Sequence, residues 1–170
     1  SSACSSSAKV FGNAARMMEC GLIDAAIVGG VDSLCLTTLY GFNSLELLSP
    51  ELCQPYGADR QGISISEAAG FALLTRDKPQ DRCAIAVMGV GESSDAHHMS
   101  SPHPEGAGAV AAMQQALDMA GMNASQVDYI NLHGTATKSN DAAEGMAVAK
   151  LFGATVACSS TKGHTGHALG

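Results

Sequence analysis

Short apolar runs bounded by glycine recur along this chain, separated by stretches with a helical pattern. The first is Ala25-Ala26-Ile27-Val28-Gly29-Gly30-Val31, the second Phe71-Ala72-Leu73-Leu74, the third Ala84-Ile85-Ala86-Val87-Met88-Gly89-Val90-Gly91. Runs without polar alternation predict strands buried on both faces. Around them, apolar residues at Phe11, Ala15 and Met18 predict a helix from Ala8 that Gly21 ends. Mixed helix and loop is expected over 34–48, stopped by Ser49-Pro50. Further helices are expected over 105–120 and 141–152, with one strand from near Val127 through Ile130 and another from Thr155. Strands alternating with helices predict an α/β chain with mostly parallel sheets and helices on both faces. Ser1-Ser2-Ala3-Cys4 and Ser159-Ser160-Thr161-Lys162 each open a helix, as if one element were used twice. The polar break Asp77-Lys78-Pro79-Gln80-Asp81 divides the chain into halves, 1–79 and 80–170.

Composition narrows the chemistry. A net charge of −7 argues against a nucleic-acid partner. No apolar run approaches the roughly 20 residues of a membrane-spanning helix. Six cysteines without paired spacing predict reduced thiols in the cytoplasm, where the sequon Asn123-Ala124-Ser125 would be idle. No Cys-x-x-Cys pair exists, and His164-x-x-His167 has no further close ligand, so no metal site is expected.

Cys4 stands among small residues where a helix begins. The helix dipole and free N–H groups there favour thiolate, and Ser5, Ser6 and Ser7 offer caps. A small buried thiol is the alternative. Two histidines lie far along the chain: His133 in Asn131-Leu132-His133-Gly134-Thr135-Ala136-Thr137, and His167 in the closing Ser160–Gly170 stretch. Each is expected to follow a strand. A cysteine with two histidines from separate loops suits carbon–carbon bond formation through a thioester, with imidazoles stabilising an enolate.

In this order, Ala-Cys-Ser-Ser-Ser, His-Gly-Thr-x-Thr and Lys-x-x-x-x-His, with glycine before the histidine, resemble the elongating β-ketoacyl-acyl-carrier-protein synthases. The resemblance covers the whole chain and implies a thiolase-like fold: two duplicated halves in α-β-α-β-α layers, incomplete in what reads as an internal fragment. It implies Cys4 as the acyl-accepting nucleophile, with His133 and His167 as enolate-stabilising donors. Lys162 matches a buried lysine, with Asp141 and Glu144 around it. Thr135 and Thr137 match hydroxyls that hold a phosphopantetheine arm; His164 has no role. A buried ammonium needs a charge partner, so an ion pair from Lys162 to Glu144 or Asp141 is expected. Asp141-x-x-Glu144 also reads as a capping box opening its helix.

The resemblance further implies that no cofactor is resident, because the carrier protein brings the phosphopantetheine. Acyl carrier protein is the implied partner, with a homodimer or a heterodimer with a related ketosynthase subunit. The family loop Arg-Pro-aromatic-Asp-x-x-Arg-Asp-Gly is met by Pro55, Tyr56, Arg60 and Gly62. Gln54, Gly57 and Gln61 depart from it, so the arginine that contacts carrier protein is absent here. The stretch 93–102 matches a loop over the substrate entrance. Two other readings share the fold: a silent chain-length partner subunit, which lacks the cysteine, and a thiolase, which needs a second cysteine beyond Cys158. Fatty-acid, polyene and polyketide elongation all fit, and Ala-Cys-Ser-Ser-Ser is frequent in the polyketide type.

Overall fold

The computed structural model describes residues 2–77 and 83–170. Lys78 to Asp81 of the polar break, where the sequence sets the boundary between halves, lie outside the described residues. The first element is helix α1 (Ser6–Glu19), ended by Gly21 at φ +70°. Strand β1 (Ala25–Asp32) follows, then α2 (Leu36–Ser44) and β2 (Ala68–Thr75). The later part contains α3 (Ala107–Ala120), β3 (Tyr129–Asn131), α4 (Lys138–Phe152), β4 (Ala157–Ser159) and the single turn α5 (Lys162–Thr165).

The strand pairings differ from the mostly parallel expectation. β1 and β2 are antiparallel, in register from Ala25↔Thr75 to Asp32↔Ala68, whereas β3 and β4 are parallel. Nor are β1 and β2 buried on both faces. Alternation sends Val28, Ala26, Ala72 and Leu74 toward α1, where they pack with Ala14, Met18, Val10 and Phe11. The opposite face leaves Ile27 77%, Phe71 68% and Leu73 69% exposed, because no described element covers it. Gly30 brings the start of α1 close to β1: a Cβ there would lie 2.1 Å from Ser7 Oγ.

The third apolar run, 84–91, is not a strand. No described strand pairs with it, and at its end side chains of α3 accept from backbone N–H groups instead. Val90 N–H reaches Met119 Sδ at 3.4 Å, and Glu92 N–H reaches Gln115 Oε1 at 3.2 Å. Lys9 and Arg16 of α1 both pair with Glu92, which ties this segment to the first helix. The segment 47–67 runs between the two parts as a strap. Leu48 bridges Ile63, and Ile65 bridges His167.

Candidate active site

Cys4 sits on a 3₁₀ turn, Ala3–Ser5, that feeds α1. Serines hold the turn rather than cap the helix, whose N-cap receives no side-chain hydrogen bond. Ser5 Oγ donates to Ser2 O at 3.0 Å, and Ser6 Oγ donates to Ala3 O at 2.7 Å. Ser7 Oγ donates to Gly170 O, and Gly170 N donates to Asp32 Oδ2 at 2.9 Å, so the residues after His167 are drawn to the Cys4 turn.

His133 follows β3 as expected, two residues beyond its end. The next residue, Gly134, has φ +46°, and a Cβ on it would lie 2.4 Å from Ser160 Cβ. Only glycine allows that approach. Ser160 Oγ donates to Gly134 O at 3.0 Å, which joins the His133 loop to the turn carrying Lys162. His167 does not follow a strand directly: α5 and Gly166 intervene, and the strap fixes its backbone instead. Its N–H donates to Ser64 O at 2.7 Å and its carbonyl accepts from Ser66 N–H at 3.1 Å.

These three routes converge. Cys4 Sγ and one ring nitrogen from each of His133 and His167 all lie within 4.8 Å of one another. The imidazoles meet edge to face at 5.4 Å, with an interplanar angle of 87°. Leu169 N–H donates to His167 Nδ1 at 3.1 Å, which places the proton of the neutral ring on Nε2. Burial, reinforced by Lys162, lowers the pKa of both rings, that of His167 to about 4. Both are therefore neutral near pH 7 and can donate without being acids.

The thiol departs from the expectation of ready ionisation. Burial raises the pKa of Cys4, Asp32 adds to the rise, and the local backbone and Lys162 only partly oppose it. The helix begins two residues later, so Cys4 lies before the first turn, where dipole and free N–H groups act most strongly.

Lys162 is half-buried, and burial lowers its pKa against the opposing charge of Glu144. The expected ion pair is not formed: neither Glu144 nor Asp141 is within 4.0 Å of the ammonium. Both carboxylates have other partners. Glu144 Oε1 accepts from His133 N–H at 2.6 Å, while Oε2 accepts from Gly134 N–H at 2.8 Å and Tyr56 OH at 2.9 Å. Asp141, fully buried, accepts from Tyr56 N–H at 2.8 Å and Ala136 N–H at 3.2 Å, and pairs with Arg60 at 3.5 Å. The capping-box reading fails as well, since α4 starts at Lys138 and both acids lie inside it. They hold the turn that carries His133.

Thr135 and Thr137 bond each other, Oγ1 to Oγ1 at 2.9 Å, with Thr135 buried. His164 is exposed on α5. A largely apolar cavity of about 400 Å³ opens beside Cys4, lined in part by Val10, Val31, Phe42 and Leu169. The stretch 93–102 folds onto the start of α3, where Asp95 accepts from His103 N–H at 2.9 Å and Gly108 N–H at 2.8 Å. Sequence reasoning assigned no role to Tyr56, Ser160 or Cys53. Cys53, buried, donates its thiol to Lys162 O at 2.9 Å. No local spacing signals these partners; Tyr56 was visible only as an aromatic in the 55–62 loop.

Residues 1–80 match the β-ketoacyl synthase N-terminal domain, and residues 84–170 match the β-ketoacyl synthase C-terminal domain. The chain is 39% identical to 3-oxoacyl-[acyl-carrier-protein] synthase 2 of Rhizobium meliloti (strain 1021), over 99% of its own length and 43% of the relative's. A ketosynthase (ApeO) solved in complex with its chain length factor (ApeC), from Xenorhabdus doucetiae, superposes with a TM-score of 0.94 at 54% identity. That match covers 99% of this chain and 41% of the other. A second structure, a type II acyl-carrier protein in complex with its ketosynthase, gives 0.90 at 26% identity over 98% and 45% of the two chains. The chain thus spans less than half the length of the relatives it matches, and its mixed α/β architecture is part of the thiolase-like fold.

Proposed function

The chain belongs to the β-ketoacyl synthase family, and from that premise we propose that the protein it comes from condenses an acyl group with a malonyl unit on acyl carrier protein. In the first half-reaction, Cys4 sulfur attacks the acyl thioester. A new C–S bond forms and the carrier's phosphopantetheine thiol leaves with the proton. In the second, the malonyl C–C bond breaks, carbon dioxide departs, and the electron pair becomes an enolate. His133 and His167 donate N–H groups to its oxygen. The enolate carbon then attacks the Cys4 acyl carbonyl, a C–C bond forms, and Cys4 thiolate is expelled.

The observation that carries this reading is the convergence of one thiol and two ring nitrogens within 4.8 Å. Neutral rings suit the second half-reaction, and the Nε2 proton of His167 supplies one donor. Lys162 acts by its charge, from a half-buried position near the thiol. Asp141 and Glu144 act as supports for the His133 turn. Thr135 and Thr137 would receive the phosphopantetheine arm, which arrives as part of the substrate; no resident cofactor is needed. The boundary between the halves falls between 79 and 80. Acyl carrier protein and a second ketosynthase-type subunit, identical or related, are the partners, and the setting is the cytoplasm. No described helix is long and apolar enough to cross a membrane.

The thiolase alternative has less support, because Cys158 lies exposed on β4, in a groove with Val148 and Val156 rather than with the triad. A silent partner subunit would not need Cys4. The test is reconstitution of the full-length protein with acyl- and malonyl-loaded carrier protein. Carbon dioxide and a carrier-bound β-ketoacyl product are expected, and Cys4→Ser should form no β-ketoacyl product. A Cys4→Ser protein that condenses at the wild-type rate would defeat the proposal.

A further inference from the structure

Tyr56 joins the two acids of α4. At one end its N–H donates to Asp141 Oδ2 at 2.8 Å; at the other its hydroxyl donates to Glu144 Oε2 at 2.9 Å. Its backbone stands at φ +61°, a left-handed conformation uncommon for a bulky residue, and the Gly57 N–H to Gln54 O turn at 2.8 Å holds it there. Burial pushes the ionisation of this phenol up and the Glu144 charge adds to that, so the hydroxyl stays protonated and acts as the donor.

Glu144 is pulled two ways. Its oxygens receive the N–H groups of His133 and Gly134, while the ammonium of Lys162, beyond 4.0 Å, attracts the same charge. Its remaining neighbour, Asn140 Nδ2, is distant at 3.4 Å. The phenol hydroxyl is therefore the shortest side-chain bond keeping the carboxylate on the loop. A carboxylate that turned toward Lys162 would release both backbone N–H groups beside the reacting imidazole.

We propose that the Tyr56 hydroxyl is a positioning group for His133, acting through Glu144. The proposal rests on the condensing function above. Displacement of a reacting group by an ångström or less can cost up to about 10²-fold in rate.

The experiment uses full-length protein with malonyl-loaded carrier protein and follows carbon dioxide release, with iodoacetamide labelling of Cys4 run in parallel. For Tyr56→Phe, kcat for decarboxylation should fall about tenfold, with KM and the labelling rate within about twofold of wild type. A route through Glu144 also demands non-additivity: on a Glu144→Gln background, Tyr56→Phe should change kcat by less than about twofold. Unchanged kcat in the single variant overturns the proposal. So does a parallel fall in kcat and labelling, which marks a general loss of structure, or a further tenfold loss on the Glu144→Gln background. Wild-type protein that is labelled at Cys4 yet releases no carbon dioxide overturns the condensing function itself.

Discussion

A thiol made harder to ionise by burial depends on whatever positive charge reaches it, and for Cys4 that charge is Lys162. The lysine is unpaired within 4.0 Å among the described residues, and the charges that act on it are those of Glu144, Cys4 and Cys53. Substitution should therefore cost little stability and affect the thiol. Lys162→Met is expected to change unfolding free energy by less than about 1 kcal/mol, because no close ion pair is broken. The same variant should move the alkaline limb of Cys4 alkylation to higher pH, since a cation that lowers the thiol pKa is gone. Denaturant unfolding and pH-dependent iodoacetamide labelling measure the two effects. A loss of several kcal/mol with an unmoved labelling profile would show a structural lysine instead. Cys4, His133 and His167 were legible in the sequence because each carries its chemistry in its side chain. The direction of the thiol pKa was not, since it depends on how much water the fold removes.

Helix α4 acts as a clamp. Asp141 and Glu144, three residues apart, share one face, and that face meets both the His133 turn and the 53–60 part of the strap. From sequence, Asp-x-x-Glu reads as a cap because the spacing is the same. The structure separates the two readings by starting the helix at Lys138, which carries the acids inside it. Their partners also lie beyond any local window, Tyr56 being 85 residues from Asp141. The apolar run at 84–91 shows a related limit. Composition marks an extended buried segment, but a strand also needs a neighbour to bond, and here α3 supplies the bonds. Asp141→Ala tests the clamp. It would leave the N–H groups of Tyr56 and Ala136 without their acceptor, and the guanidinium of Arg60 without its charge partner, in a buried setting. A loss of about 3–5 kcal/mol is expected by equilibrium unfolding of the full-length protein. A loss below about 1 kcal/mol would mean that the loops are held by other contacts.

At the scale of the whole molecule, the site is a meeting of three segments distant in sequence. The Cys4 turn comes with α1, the His133 loop with β3 and α4, and His167 with a backbone bridge to the strap. The resemblance named this fold and the glycine-bounded runs located two of its strands, but neither predicted the antiparallel β1–β2 pair or its bare outer face. Which strand lies beside which depends on chain brought in from far away, and periodicity does not encode it. The central claim is that the thiol and the imidazoles divide the labour between two half-reactions. Its most direct test compares, in full-length His133→Ala and His167→Ala, the rate of malonyl decarboxylation with the rate of acyl transfer to Cys4, followed by mass spectrometry. Each variant should lose at least about 10²-fold in decarboxylation, the usual cost of one lost donor to a developing oxyanion, while acylation falls by less than about tenfold. Equal losses in the two half-reactions would contradict this division and make the histidines bases for the thiol or props for the fold.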